Sequence, residues 1–183
     1  MIVQHQKHYY LYHCRFLITL FYLSFLYGMI CFMEINVIIE DDLILKHLSE
    51  DWFYEETEEI LTISGAGQSE MGVSIVSDER IREINRMYRK IDKSTDVISF
   101  QMETQDGFIV PNDMRHLGDV VISAPTAIAQ AVEYETSVEE EVRRLLIHGI
   151  LHLLGFDHMQ TENEAKMQDE EERITRIIGE TND

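Results

Sequence analysis

Beyond residue 33 the apolar positions of the chain follow two rhythms. Short runs rich in valine and isoleucine at 34–40, 71–77, 96–102 and 118–123 predict four strands. Between and after them, apolar residues recur every three or four positions, which is the helical period. A first helix is expected from about Asp42 to Thr62, with Leu45, Leu48 and Trp52 as its apolar stripe and Trp52 in the core. Its outer face carries Glu50, Asp51, Glu55, Glu56, Glu58 and Glu59, read as solvated. A second helix from Asp78 buries Ile81, Ile84, Tyr88 and Ile91. Asp106-Gly107 and Pro111-Asn112-Asp113 mark 103–117 as a loop. Capping boxes open two later helices, Ser137 with Glu140 and Thr161 with Glu164. In the second, Asp169 with Arg173 and Glu172 with Arg176 are spaced as surface i,i+4 pairs. The order predicts an α+β fold: a small mixed four-stranded sheet packed with about five helices, the helix over 145–154 buried.

The first segment breaks this pattern. Phe16 to Phe32 is uncharged and apolar, 17 residues in all, just short of the roughly 20 that span a bilayer. Lys7 and Arg15 precede it as in a signal peptide, but no small-residue cleavage site follows. A hydrophobic anchor and a packed helix are two readings. The preferred third is that translation begins at Met33, which makes 1–32 a misassigned extension. Residues 33–183 then form a single domain with no membrane role, placed in the cytoplasm.

Composition narrows the partners. A formal net charge of −19 over 183 residues argues against a general nucleic-acid coat protein, so any RNA contact must come from a local basic patch. Cys14 and Cys31 are the only cysteines, which leaves neither a disulfide framework nor a cysteine zinc cage for the rest.

The chemistry concentrates in 145–158. From Leu145 to Leu154 the only polar side chains are His148 and His152. One turn apart on a helix, their imidazoles leave the same face about 6 Å from each other. Gly155 suits a left-handed helix end, after which the chain can turn back and bring His158 to the same point. Three imidazoles at H-x3-H-x5-H make a tripod for zinc with one position left for water. Asp157 either orients an imidazole or is a plain turn residue.

The spacing equals that of the H-E-x-x-H-x-x-G-x-x-H zinc proteases, with Gly149 where those enzymes place the glutamate base. Without it their route to peptide hydrolysis loses its proton acceptor. The segment from Arg80 to Lys93 is locally basic, with Arg82, Arg86, Arg89 and Lys93 as a stripe beside the apolar one. The stripe is either an ordinary solvated helix face or a phosphate-binding one; guanidinium groups match a phosphodiester's geometry and charge, and beside a metal site without a protease base cleavage of phosphodiesters is the expected chemistry. Zinc would serve as Lewis acid; the residues name no proton acceptor.

With those residues noted, the chain from Met33 resembles the YbeY family of bacterial rRNA maturation endoribonucleases. The likeness rests on Ile84-Asn85-Arg86-Met87-Tyr88-Arg89 with Thr95-Asp96-Val97-Ile98-Ser99-Phe100, on Leu117-Gly118-Asp119-Val120-Val121-Ile122, and on His148 to His158. Ser94 and Gln101 depart from a frequent proline. The resemblance implies a single-strand-specific endoribonuclease with one zinc ion, acting in 16S rRNA 3′-end maturation and ribosome quality control. It implies Arg89, His148, His152 and His158 as catalytic residues. Its implied partners are precursor rRNA, the small ribosomal subunit with its proteins, and an assembly GTPase. A zinc metalloprotease and a non-catalytic assembly factor with structural zinc are the alternatives; peptide cleavage would mark the first, RNA binding without cleavage the second.

Overall fold

The computed structural model describes residues 33–102, 114–156 and 161–181, the side chains of 161–163 excepted. Residues 33–183 form one compact unit. Its centre is a four-stranded sheet of β1 (Glu34–Ile39), β2 (Ser69–Val76), β3 (Val97–Gln101) and β4 (Arg115–Ser123), in spatial order β1-β2-β4-β3. β1 and β4 run parallel to β2, whereas β3 pairs antiparallel with β4. Five α-helices accompany it: α1 (Glu50–Ile63), α2 (Asp78–Tyr88), α3 (Ala124–Glu133), α4 (Val138–Leu153) and α5 (Thr161–Thr181). This is the expected α+β architecture. No described helix is long and apolar enough to cross a membrane. The predicted loop falls mostly on 103–113, outside the described residues; β4 begins at Arg115, earlier than expected, because Arg115 pairs with Ser69 of β2.

Several expectations are corrected in detail. The first helix is two pieces, a 3₁₀ turn over Asp42–Lys46 and then α1. Asp41 accepts from Leu43 N–H and Ser49 accepts from Trp52 N–H, so each starts its own helix. Leu45 is exposed, and Ile44, Phe53, Ile60 and Leu61 reach the core instead. Trp52 is half-buried, edge-on to Phe53. Glu56 is not solvated: it is 5% exposed and takes a bidentate pair from Arg143, 2.6 and 3.0 Å. On α5, Arg173 pairs with Glu170 at 2.6 Å rather than with Asp169.

α4 is the buried centre of the helical layer. Ser137 and Glu140 form the predicted capping box, while Thr161 lies where side chains are not described. Val142, Leu145, Leu146, Ile147, Ile150, Leu151 and Leu153 are all buried in the main core. Gly149 packs on the sheet itself, where an added Cβ would stand 2.7 Å from Val120 Cγ1. Ser99 Oγ of β3 donates to the Gly149 carbonyl at 3.0 Å. One long face of α4 is thereby pressed on β3 and β4, and the face bearing the histidines looks outward along the β3 edge.

Candidate active site

The helix end positions the histidines. Gly155 has φ +95°, the left-handed value that glycine adopts without strain. Phe156 N–H then donates to the Leu151 carbonyl and Gly155 N–H to the His152 carbonyl, both at 3.0 Å. These are the two bonds of a Schellman turn. The turn points the Phe156 carbonyl at His152, whose Nδ1 donates to it at 3.0 Å. His148 Nδ1 donates to Glu171 Oε1 of α5 at 2.8 Å. In both rings Nδ1 is therefore the hydrogen-bearing donor, which fixes how each ring is turned. The two rings lie 4.7 Å apart at 83°.

That chemistry fits a metal. Imidazoles that ligate through one nitrogen commonly donate the other N–H to a carboxylate or a carbonyl, which sets tautomer and ring orientation. Both devices are present here, one per histidine. His158 and Asp157 lie outside the described residues. Among the described residues no group of three potential ligands gathers. Glu171 went unnoticed in the sequence, where it sits in an acidic run that reads as helix surface; its 23-residue separation from His148 carries no local signal.

The histidines open into a cleft of about 1100 Å³ lined by Tyr88, Arg89, Asp96, Phe100, Arg144, His148 and His152 among others. Arg89 thus shares a cavity with the two histidines. The rest of the predicted basic stripe does not follow it. α2 stops at Tyr88, Arg89 caps it through Asn85, and Lys90 turns the chain with φ +62°. Arg82 is drawn into a bidentate pair with Asp92, 2.8 and 3.1 Å, and with Arg86 it lines a separate depression. Tyr88 and Ile91, expected in the core, are 65% and 48% exposed: Tyr88 is the last residue of α2 and Ile91 lies past its end.

A second cation stands in the cleft. Arg144 precedes His148 by one turn, a spacing that the i,i+4,i+8 series 144, 148, 152 displays in the sequence. Its guanidinium pairs with buried Glu141 at 2.5 Å and lies 4.0 Å from Asp96 Oδ2. Burial pushes the Asp96 carboxyl up, but hydrogen bonds from Gln130, the Val97 N–H and Thr95 outweigh it and leave its pKa lowered. Asp96 is ionised and its charge well held, so it orients cations better than it accepts protons.

The sequence model of the family described as Endoribonuclease YbeY matches residues 34–179. An Endoribonuclease YbeY of a Sulfurihydrogenibium species is 42% identical over 132 residues, 72% of this chain and 84% of that protein. One from Dehalococcoides mccartyi is 39% identical over 158 residues, 81% of this chain and 98% of that protein. The solution structure of TM1509 from Thermotoga maritima superimposes with a TM-score of 0.54 at 26% identity, covering 81% of this chain and 91% of that one. The match runs from the first strand into the last helix, and the chain belongs to the YbeY endoribonuclease family.

Proposed function

We propose that this chain is a zinc-dependent endoribonuclease that cleaves single-stranded RNA, with 33–183 as its domain. The observation that carries the reading is the shared cleft, in which Arg89 and Arg144 face the same space as His148 and His152. His148, His152 and His158 would hold the ion. Bound there, zinc would supply Lewis acidity toward a phosphoryl oxygen or a water molecule. Glu171 and the Phe156 carbonyl keep the two helical imidazoles in the ligating tautomer. Arg89 binds the scissile or neighbouring phosphate and stabilises charge that develops on it. Arg144, held by Glu141, lines the same cleft as a second guanidinium. Gly149 leaves no room for a protease-type glutamate, so the peptide-cleaving route has no base.

In the cell the reading extends to 16S rRNA 3′-end maturation and ribosome quality control in the cytoplasm, with precursor rRNA, small-subunit proteins and an assembly GTPase as partners. The test is the purified full chain with its metal content measured, incubated with single-stranded and duplex RNA beside a His152→Ala control. Cleavage of the single strand that disappears in the control is the expected outcome. Zinc retained with RNA bound but intact would replace this reading with a non-catalytic assembly factor.

A further inference from the structure

The most exposed aromatic ring of the cleft is one that a helical pattern would bury. Tyr88 is the last residue of α2 and is 65% exposed, yet it is not a loose surface side chain. Its ring meets Phe100 edge-on, with centroids 5.0 Å apart and planes at 62°. Phe100 on β3 packs in turn against the small core of Val76, Ile81, Ile98 and Val121. The backbone beneath is equally fixed. The carbonyl of Asn85, itself 4% exposed, accepts from Arg89 N–H at 2.9 Å, and its Nδ2 donates to the Lys93 carbonyl at 2.8 Å. An aromatic braced by a neighbouring ring, 65% exposed and adjacent in sequence to an arginine of the same cleft is built to receive a flat ligand.

We propose that Tyr88, braced by Phe100, is a stacking platform for an unpaired nucleobase whose neighbouring phosphate is held by Arg89. This deepens the ribonuclease reading and rests on it. Single-stranded nucleic acid is bound by pairing cationic contacts to the backbone with aromatic faces for the bases, and stacking tolerates any base because each has a π-face. A duplex keeps its bases stacked on each other and cannot use the platform. The selectivity for single strands would then reside in Tyr88, apart from the metal.

The test uses the full chain and a short 2′-O-methyl RNA single strand, resistant to cleavage, carrying 2-aminopurine at each position in turn. Stacking on Tyr88 quenches the probe at one position; Tyr88→Phe keeps the quench and Tyr88→Ala loses it. On cleavable RNA, Tyr88→Ala raises KM about tenfold with kcat little changed, as loss of one base stack requires. An active wild type whose Tyr88→Ala variant keeps its KM and its quench overturns the platform alone. A wild type that neither binds nor cleaves RNA overturns the ribonuclease reading with it.

Discussion

Gly149 lies against Val120 so closely that an added Cβ would stand 2.7 Å from one valine methyl and 3.0 Å from the other. The glycine between the first two histidines is therefore a packing residue: it lets α4 settle on β4. Gly149→Ala is expected to cost about 1–3 kcal/mol by overpacking, read as a lowered urea midpoint with unchanged slope. Gly149→Glu, which would restore the protease signature, is expected to unfold the domain and confer no peptidase activity. A folded Gly149→Glu variant would show that α4 can lift off the sheet.

Glu171 is expected to govern metal affinity without touching metal. Loss of an acceptor behind a ligating imidazole commonly weakens binding 10–100-fold. Glu171→Ala should shift a zinc competition titration by about that factor, while Glu171→Gln, which keeps an acceptor oxygen near His148 Nδ1, should lose less. Since Glu171 is partly exposed, thermal stability without metal should hardly change. Equal zinc affinity in Glu171→Ala and wild type would remove it from the site.

Arg89 should separate from the histidines in a single assay. Arg89→Ala is expected to keep full zinc content and to lower turnover by about 10²-fold, the usual loss for one preorganised donor to developing charge. Arg89→Lys should recover only part, because an ammonium lacks the planar fork. His148→Ala should lose metal and activity together. Full activity in Arg89→Ala would retire its role.

What was legible in the sequence was whatever short-range chemistry decides. The Schellman turn at Gly155, the capping box at Ser137 and the buried stripe of α4 each depend on residues within one or two turns. What escaped depends on which element arrives from elsewhere. Glu56 reads as one of six outer-face acids of the first helix, and only the approach of Arg143, 87 residues later, makes it interior. Tyr88 fits an apolar stripe, but as the last residue of α2 it stands exposed, with Phe100 against its ring. Arg82 belongs to a basic stripe until Asp92 captures it. Periodicity gives the faces of an element, and packing chooses among them.

The Glu56–Arg143 pair is expected to be a main tie between α1 and α4. Arg143 is 14% exposed in its side chain, its guanidinium sits 5.9 Å from the Trp52 ring centroid, and hydrogen bonding to Glu56 raises its pKa. Removing one partner of a buried pair leaves the other charge desolvated, at a cost of about 3–5 kcal/mol. Glu56→Ala should fall at the low end, because Glu139 still holds Arg143 at 2.9 Å. A change under about 1 kcal/mol in equilibrium urea unfolding, the range of a surface pair, would mean that water reaches the site.

Stability should also depend on acid through the cap of the histidine helix. Hydrogen bonds from the Thr136 hydroxyl, the Ser137 N–H and the Ser137 hydroxyl hold the Glu140 carboxyl down to about 2 from its ordinary 4.5. A folded-state pKa below the unfolded one means that the unfolded chain binds the proton first. The contribution is thus complete above about pH 4.5 and fades as pH falls toward about 2. Glu140→Gln should be less stable than wild type at pH 7, and the gap should narrow in urea unfolding at pH 3. Ser137→Ala removes the other half of the box and should cost about 1 kcal/mol. A wild type and Glu140→Gln pair with the same stability difference at pH 7 and pH 3 would show that Glu140 carries no linkage to acid.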